Sequence, residues 1–165
     1  MTSLRIVVPA LNEGASLAGF LDRLLPLRGR GAEVVVADGG STDETWAIAA
    51  HRADCVLLAP RGRAAQMNRG SRGATAEVLL FLHADTVLPD DAGAWIEHAV
   101  RRGALWGRFD VRIDSRHPLL RLAGAAMNLR SRLTGLATGD QAIFVLRDVF
   151  ERAGGFPDLP LMEDV

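Results

Sequence analysis

The stretch LLFLHADTVLP, residues 79–89, places two chemically active side chains at the end of an apolar run. His83 and Asp85 follow the apolar residues 78–82 directly, and Pro89 closes the segment. A buried strand normally ends in turn residues rather than in two possible ligands. Because residues i and i+2 of a strand point the same way, we expect His83 and Asp85 to share one face.

These residue types suit a diphosphate bound together with a divalent cation. Mg²⁺ and Mn²⁺ prefer oxygen ligands and usually take one or two carboxylates plus phosphate oxygens of the substrate. Several arginines lie in PRGRAAQMNRG (60–70), and a guanidinium group can bind phosphate through two parallel hydrogen bonds. The pattern therefore predicts a phosphate site in which Asp85 binds Mg²⁺ or Mn²⁺.

Polar residues also follow three other apolar runs that read as strands. The runs are LRIVVPA (4–10), AEVVVAD (32–38) and CVLLA (55–59). If the sheet is parallel, their carboxyl ends meet at one edge, where ligands bind in open α/β sheets. The candidate binding residues at these ends are Asn12, Glu13, Asp38, Ser41, Arg61, Arg63 and Asn68.

Each candidate has an ordinary structural interpretation when it is taken alone. Asp38 precedes two glycines and could serve a turn, whereas Ser41 and Glu44 match the S-x-x-E capping box that opens a helix. The arginine loop could be a solvated surface. A single histidine such as His83 is more often a core residue than a ligand. The functional interpretation depends on all four strand ends facing one crevice.

The remaining elements alternate between strand and helix patterns. This alternation predicts an α/β fold, a mostly parallel sheet with helices on both faces. Further strands are predicted over residues 77–84, 105–114 and 141–147. Helices are predicted over residues 16–25, from Ser41 onward, and over 64–74, 90–100, 117–133 and 148–156.

Composition limits the class of protein. The 165 residues, 48% hydrophobic and 24% charged, fit one globular domain over residues 1–165. A net charge of −1 gives no indication of nucleic-acid binding, and the single Cys55 excludes a disulfide framework. No signal peptide or membrane-length apolar run is present, so we expect a cytoplasmic protein that could sit at the inner face of a membrane. We interpret the end at LPLMEDV, in mid-motif, as the truncation of a longer protein.

Five motifs in a fixed order resemble a known family. IVVPALNEG, VVVADGGSTDET, GRAAQMNRG, LLFLHADT and GGFPDLPLMED resemble glycosyltransferase family 2, which has the GT-A fold. The triplet HAD at residues 83–85 is similar to a bacterial subgroup linked to arsenosugar biosynthesis. The resemblance covers essentially the whole chain and is specific for the family rather than for a substrate. Neither a P-loop nor the G-x-G-x-x-G fingerprint is present.

The resemblance implies roles for particular residues on the donor side. The nucleotide base is expected beside Pro9 to Glu13 and Asp38, and the diphosphate beside Gly62 to Gly70. The D-x-D motif of the family falls on residues 83–85, and its second aspartate usually binds the metal, so the resemblance implies that Asp85 binds it. His83 then stands where an aspartate usually contacts the ribose. The residues implied for the nucleotide sugar are Pro9, Asn12, Glu13, Asp38, Ser41, Arg61, Arg63, Asn68 and His83.

The resemblance also implies the chemistry and the acceptor side. The E-D motif falls on Glu163 and Asp164, with Asp164 as the general base, and TGDQAIFVLR (138–147) places Asp140 and Gln141 beside the acceptor. The reaction would move a sugar from a nucleotide-diphosphate donor to an unidentified acceptor hydroxyl, with inversion. Two alternatives stay open: a sugar nucleotidyltransferase, although no Gly-rich Arg/Lys loop follows the first strand, and a non-catalytic nucleotide-sugar-binding module.

Overall fold

The computed structural model describes residues 2–111, 124, 126, 128–131 and 141–157. Within them, six strands form one sheet in the order β3-β2-β1-β4-β6-β5. The strands are β1 (Leu4–Ala10), β2 (Glu33–Asp38), β3 (Cys55–Leu58), β4 (Val78–Phe81), β5 (Trp106–Arg108) and β6 (Ile143–Leu146). β1 to β4 pair in parallel, and β6 runs antiparallel to both β4 and β5. The predicted mostly parallel α/β sheet is confirmed.

Helices cover both faces of this sheet, as predicted. They are α1 (Gly14–Arg23), α2 (Leu25–Arg28), α3 (Thr45–Arg52), α4 (Arg63–Ser71), α5 (Ala92–Arg101) and α6 (Arg147–Ala153). On one face, side chains from α1, α3 and α5 pack against alternate residues of the central strands, among them Ile6 and Val36. On the other face, side chains from α4 and α6 pack against Val7, Leu79 and Phe81. The period-two alternation of β1 thus divides its apolar side chains between two cores.

The predicted capping box at the start of α3 is wrong. The helix begins at Thr45, directly after Glu44, and its capping position is therefore Glu44 rather than Ser41. The Ser41 hydroxyl instead accepts a hydrogen bond from the backbone N–H of Asn12 at 2.9 Å. The residues after β2 form a loop that reaches the loop after β1, and this tertiary contact replaces the local cap.

Other boundaries differ from the predicted ones by a few residues. β4 ends at Phe81 rather than at residue 84, and β5 is limited to Trp106–Arg108 rather than 105–114. α1 begins two residues earlier than predicted and ends at Arg23, after which Pro26 lies in the first turn of the separate helix α2. Most of the helix predicted over 117–133 lies outside the described residues, although residues 128–131 are helical.

Candidate functional site

The carboxyl ends of the first three strands lie side by side. Ala10 of β1 is opposite Asp38 of β2, and Asp38 is opposite Leu58 of β3. A cavity of about 340 Å³ opens beside this edge. Its lining residues come from the end of β1 and the loop after it, and from the loop and helix after β3: Pro9, Ala10, Leu11, Glu13, Arg61, Gly62, Arg63 and Gln66. The predicted convergence of Pro9, Glu13, Arg61 and Arg63 is therefore present.

Asp38 is a buried carboxylate at this edge, with only 1% of its surface exposed. Its Oδ1 accepts hydrogen bonds from the backbone N–H groups of Gly40 and Ser41, both at 2.7 Å. Its Oδ2 is also buried and has no hydrogen-bond partner among the described residues. The turn interpretation thus accounts for one oxygen and leaves the other with free acceptor capacity. Such an atom is costly to bury unless a ligand supplies a donor.

Gln66 is a cavity residue that sequence reasoning did not single out. It is 3% exposed, and its Nε2 donates to the carbonyl oxygens of Ala10 at 2.7 Å and Ala37 at 3.0 Å. The amide can take only this orientation, because a flip would place its oxygen against two carbonyls. One signal for Gln66 was present in the sequence. Residues i and i+4 of a helix share a face, so Gln66 lies on the same face of α4 as Gly70, and a glycine there allows that face to approach another element closely.

Two loops at the rim of the cavity are joined by side-chain hydrogen bonds. Asn12, at φ 55°, donates its N–H to Ser41 Oγ at 2.9 Å and accepts the N–H of Thr42 on Oδ1 at 2.9 Å. Glu13 donates its N–H to Thr45 Oγ1 at 2.8 Å. The described structure therefore uses the polar atoms of Asn12 and Ser41 to connect the loops that follow β1 and β2.

The junction between the loops after β1 and β2 also includes Asp43, which was not among the predicted site residues. Its Oδ2 accepts the N–H of Gly14 at 2.9 Å, and its Oδ1 accepts the N–H of Thr45 at 3.0 Å and the Thr45 hydroxyl at 2.5 Å. The Thr45 hydroxyl, followed by the backbone donors, holds the pKa of the Asp43 carboxyl below its usual value. The ionised form of Asp43 therefore stabilises the folded junction.

We expect Asp43→Asn to destabilise the protein at neutral pH. One acceptor oxygen is replaced by an NH₂ group, which is itself a donor and would face a backbone N–H donor. The folded pKa lies below the unfolded one, so the contribution of Asp43 is complete above the unfolded pKa of about 4. It is lost as the pH falls through the still lower folded pKa. Urea unfolding at pH 7, 5 and 3 should show equal differences between wild type and variant at the two higher values, and a smaller one at pH 3. A constant difference would contradict this assignment.

The arginine loop leads into α4 beside the cavity. Arg61 and Arg63 are exposed and line it, and Gly62 between them has a φ of 116°, a conformation that favours glycine. Within the part of the chain that the structure describes, no side-chain cap is found at the first turn of α4, whose capping position is Gly62. The positive end of this helix and two guanidinium groups therefore lie at the same opening, which favours an anionic ligand.

Asn68 lies on α4, and both polar atoms of its amide bind the backbone of Phe156. Nδ2 donates to the carbonyl of Phe156 at 2.9 Å, and Oδ1 accepts the N–H of Phe156 at 2.8 Å. The described structure thus uses both polar atoms of the Asn68 amide to hold the main chain at Phe156, and Asn68 is not among the residues that line the cavity.

His83 and Asp85 do not lie on a strand, so the prediction that they share one strand face is wrong. His83 is 5% exposed, whereas Asp85 is exposed to solvent. The strand ends at Phe81, and a turn follows in which Thr86 donates its N–H to the carbonyl of His83 at 3.0 Å. Strand alternation therefore does not apply to residues 83–85.

Asp85 retains the capacity to bind a cation. The bond found for its carboxylate among the described residues is from the hydroxyl of its neighbour Thr86, at 3.4 Å. No group of three His, Cys, Asp or Glu residues that could hold a metal occurs in the described part of the chain. One accessible carboxylate fits the usual Mg²⁺ or Mn²⁺ site of nucleotide enzymes, in which substrate phosphates and water complete the ligand set.

The predicted acceptor and catalytic residues are only partly accounted for. Asp140, Glu163 and Asp164 lie outside the described residues. Gln141 is 1% exposed and accepts the N–H of Phe109 on its carbonyl at 2.8 Å. It precedes Ala142, whose φ of 46° is unusual for a residue with a side chain. None of the helices described here has the length and apolar character needed to cross a bilayer.

Comparison with known sequences identifies relatives of the chain. The profile described as "Glycosyl transferase family 2" matches residues 5–145. The succinoglycan biosynthesis protein ExoA of Rhizobium meliloti (strain 1021) is 37% identical over an alignment of 113 residues, which covers 62% of this chain and 34% of ExoA. The chain thus matches about a third of the length of this curated relative.

Comparison with solved structures shows the same fold. The mannosyltransferase PcManGT from Pyrobaculum calidifontis, in complex with GDP-Man and Mn²⁺, superposes with a TM-score of 0.69 at 23% identity, over 97% of this chain and 49% of that one. Glucosyl-3-phosphoglycerate synthase from Mycobacterium tuberculosis, in complex with Mn²⁺, UDP and glucosyl-3-phosphoglycerate, gives 0.68 at 21% identity, over 90% and 58% of the respective chains. At these identities the likeness establishes the GT-A architecture.

Proposed function

Because the chain belongs to glycosyl transferase family 2, we propose that it moves a sugar from a nucleotide-diphosphate donor to an acceptor hydroxyl. The observation that carries the proposal is the buried Asp38 carboxylate, with one oxygen unpartnered among the described residues, at the strand edge beside the cavity. A nucleotide base offers N–H donors of the kind that this oxygen lacks. Two similar folds were solved with GDP-Man or UDP, and each also contains Mn²⁺.

The donor is oriented by the two sides of the cavity. The base lies against the backbone from Pro9 to Glu13, where the bonds between the two rim loops keep the edge of the site in place. The diphosphate lies towards the first turn of α4, where Arg61 and Arg63 donate to its oxygens. These donors are aimed at the group that gains negative charge when the sugar leaves, so they stabilise the transition state.

Asp85 holds Mg²⁺ or Mn²⁺ in this proposal. When it is bound, the cation supplies Lewis-acid stabilisation of the departing diphosphate. His83, at the first position of the D-x-D motif, is buried and adds no negative charge beside the phosphates. The HAD triplet supports placing the chain in the bacterial subgroup linked to arsenosugar biosynthesis.

Transfer proceeds as a single displacement. Asp164 accepts the proton of the acceptor hydroxyl while the hydroxyl oxygen bonds to the anomeric carbon, and the bond from that carbon to the diphosphate oxygen breaks. Attack opposite the leaving group inverts the anomeric configuration. Asp140 and Gln141 are proposed on the acceptor side, and Glu163 stands beside the base.

The metal assignment can be tested by removing the Asp85 carboxylate. In wild type, UDP or GDP should bind more tightly with Mn²⁺ or Mg²⁺ than with a chelator, and Asp85→Ala should abolish this difference. Asp90→Ala is the matched control, because it removes an exposed carboxylate from the same loop. Isothermal titration calorimetry measures the affinity of all three proteins for UDP or GDP, with metal and with chelator. Equal affinity with and without metal in wild type would refute the metal site but not the nucleotide site.

A further inference from the structure

Gln66 is a buried amide in the lining of the cavity, and its NH₂ group is fully used by the sheet. Nε2 donates to the carbonyl of Ala10 at 2.7 Å and to that of Ala37 at 3.0 Å, near the ends of β1 and β2. An amide nitrogen has two hydrogens to donate, so these two bonds take its whole donor capacity. The polar atom that remains is Oε1, which can only accept a hydrogen bond.

Oε1 is open to a ligand in the cavity. Within the described residues, the hydrogen bonds of Gln66 are the two made by Nε2 and the helical one of its main chain. Unlike Oδ2 of Asp38, Oε1 is not enclosed by protein, so it reaches the space that Gln66 lines. An acceptor in this position gains a hydrogen bond when a ligand brings a donor to it.

The main chain at Gly39 holds the amide in place. A Cβ at Gly39 would lie 3.0 Å from Nε2 and 3.2 Å from Cδ of Gln66, so the amide packs directly against the loop after β2. The N–H of Gly39 donates to the carbonyl of Ala10 at 2.9 Å, the same oxygen that Nε2 binds. Helix α4, β1 and the loop after β2 thus meet at this amide, and the position of Oε1 is fixed by all three.

A fixed acceptor selects the part of a nucleotide that can lie beside it. The oxygens of a diphosphate are themselves negatively charged acceptors, so Oε1 repels them. The ribose hydroxyls and the N–H groups of the base are donors, and both belong to the nucleoside half. Arg63, one turn earlier on α4 and about 4.5 Å away along the helix axis, offers a guanidinium group to the diphosphate instead. Along the cavity, α4 therefore presents first a cation and then an acceptor.

We propose that Gln66 is a specificity-determining residue of the donor site, which accepts on Oε1 a hydrogen bond from the nucleoside, through a ribose hydroxyl or an N–H of the base. The inference rests on the proposed function, because it assumes that the cavity binds the nucleotide. With the diphosphate at Arg63 and a nucleoside donor at Gln66, the nucleotide lies along α4 in one direction only.

The test removes the donor groups of the ligand one at a time. UDP is compared with its 2′-deoxy, 3′-deoxy and N3-methyl analogues, and GDP with its 2′-deoxy, 3′-deoxy and N1-methyl analogues and with IDP, which lacks the amino group. Calorimetry with Mn²⁺ gives each dissociation constant. In wild type, loss of the group that Gln66 binds should weaken binding about 3- to 10-fold, the value of one hydrogen bond. Gln66→Met, which keeps much of the volume but lacks the acceptor, should abolish that difference and leave the other differences unchanged.

Two further variants separate recognition from a weakened helix. Gly39→Ala keeps Gln66 but presses a methyl group against its amide, so it should reduce the same difference and does not depend on the folding of Gln66→Met. Ser71→Ala is the matched control, because it removes a hydrogen bond of α4, to the carbonyl of Asn68 at 2.9 Å, from a residue outside the lining of the cavity. All its differences between parent nucleotide and analogue should match those of wild type.

The pattern of losses identifies the partner of Gln66. A difference that disappears for a deoxy analogue assigns Oε1 to the ribose, and one that disappears for a methylated base or for IDP assigns it to the base. If UDP or GDP binds but every difference is the same in wild type, Gln66→Met and Gly39→Ala, Gln66 only joins the helix to the strands, and the inference is wrong while the proposed function stands. If wild type binds neither UDP nor GDP, the proposed function itself fails.

Discussion

Asp164→Asn is expected to lower turnover by about 10²- to 10⁴-fold, the range typical of a general base. The asparagine side chain keeps the size of the aspartate but cannot accept the acceptor proton. Donor binding should be nearly unchanged, because in the proposed mechanism Asp164 contacts the acceptor rather than the nucleotide. Release of nucleoside diphosphate gives the rate, and calorimetry with UDP or GDP in the presence of Mn²⁺ gives the affinity.

Two further variants determine what a loss of activity means. Glu163→Gln changes the adjacent carboxylate and should have a smaller effect. Asp148→Asn changes a carboxylate on α6 that forms an exposed ion pair with Arg152 at 2.9 Å, and it should leave turnover near wild type. If Asp164→Asn retains most of the transfer rate, the base lies elsewhere, and Glu163 is the next candidate.

The fold could be predicted from sequence because its central strands are nearly continuous apolar runs. β1 is buried along its whole length, as expected of a parallel strand covered on both faces. The end of β4 was harder to place, since Leu82 is as apolar as the residues before it. Its N–H still binds the carbonyl of Val7 at 3.0 Å, but pairing with β6 ends at Phe81. Tertiary pairing, which the local sequence pattern does not contain, thus ended the strand before His83 and Asp85.

The site was predictable where one residue type has a local reason to be at a strand end. Asp38 belongs to this class, because an aspartate before two glycines marks a tight turn at the carboxyl edge. The contacts of Gln66 and Asn68 do not belong to this class, since helix α4 would accept many residue types at either position. Their partners are backbone carbonyls and amides from β1, β2 and the chain after α6, which only the packed fold brings close. The Ser41 hydroxyl illustrates the same limit, for its partner is in another loop.

The second large effect is expected for stability, in the variant Arg5→Met. Arg5 is a buried arginine on β1, 8% exposed, and its Nε and Nη2 donate to Glu33 at 2.7 and 3.2 Å. It also donates to backbone carbonyls at the end of α4, at 3.1 to 3.4 Å: Gly70, Arg72 and Gly73. Methionine fills much of the volume but donates no hydrogen bond. We expect unfolding to become easier by about 3 kcal/mol, as measured by denaturant titration.

Arg28→Met is the matched control for this prediction, because Arg28 makes the same two-point contact with a carboxylate, Asp54, on the surface. Exposed pairs contribute about 0 to 1 kcal/mol, so this variant should lose much less stability than Arg5→Met. A similar small loss in both would show that the buried arginine is not what fastens α4 to β1. A large loss confined to Arg5→Met would mean that the end of α4 depends on a side chain at the opposite end of the strand from the cavity. The position of Gln66 in the lining of the cavity would then depend on Arg5, whose own hydrogen bonds go to Glu33, Gly70, Arg72 and Gly73.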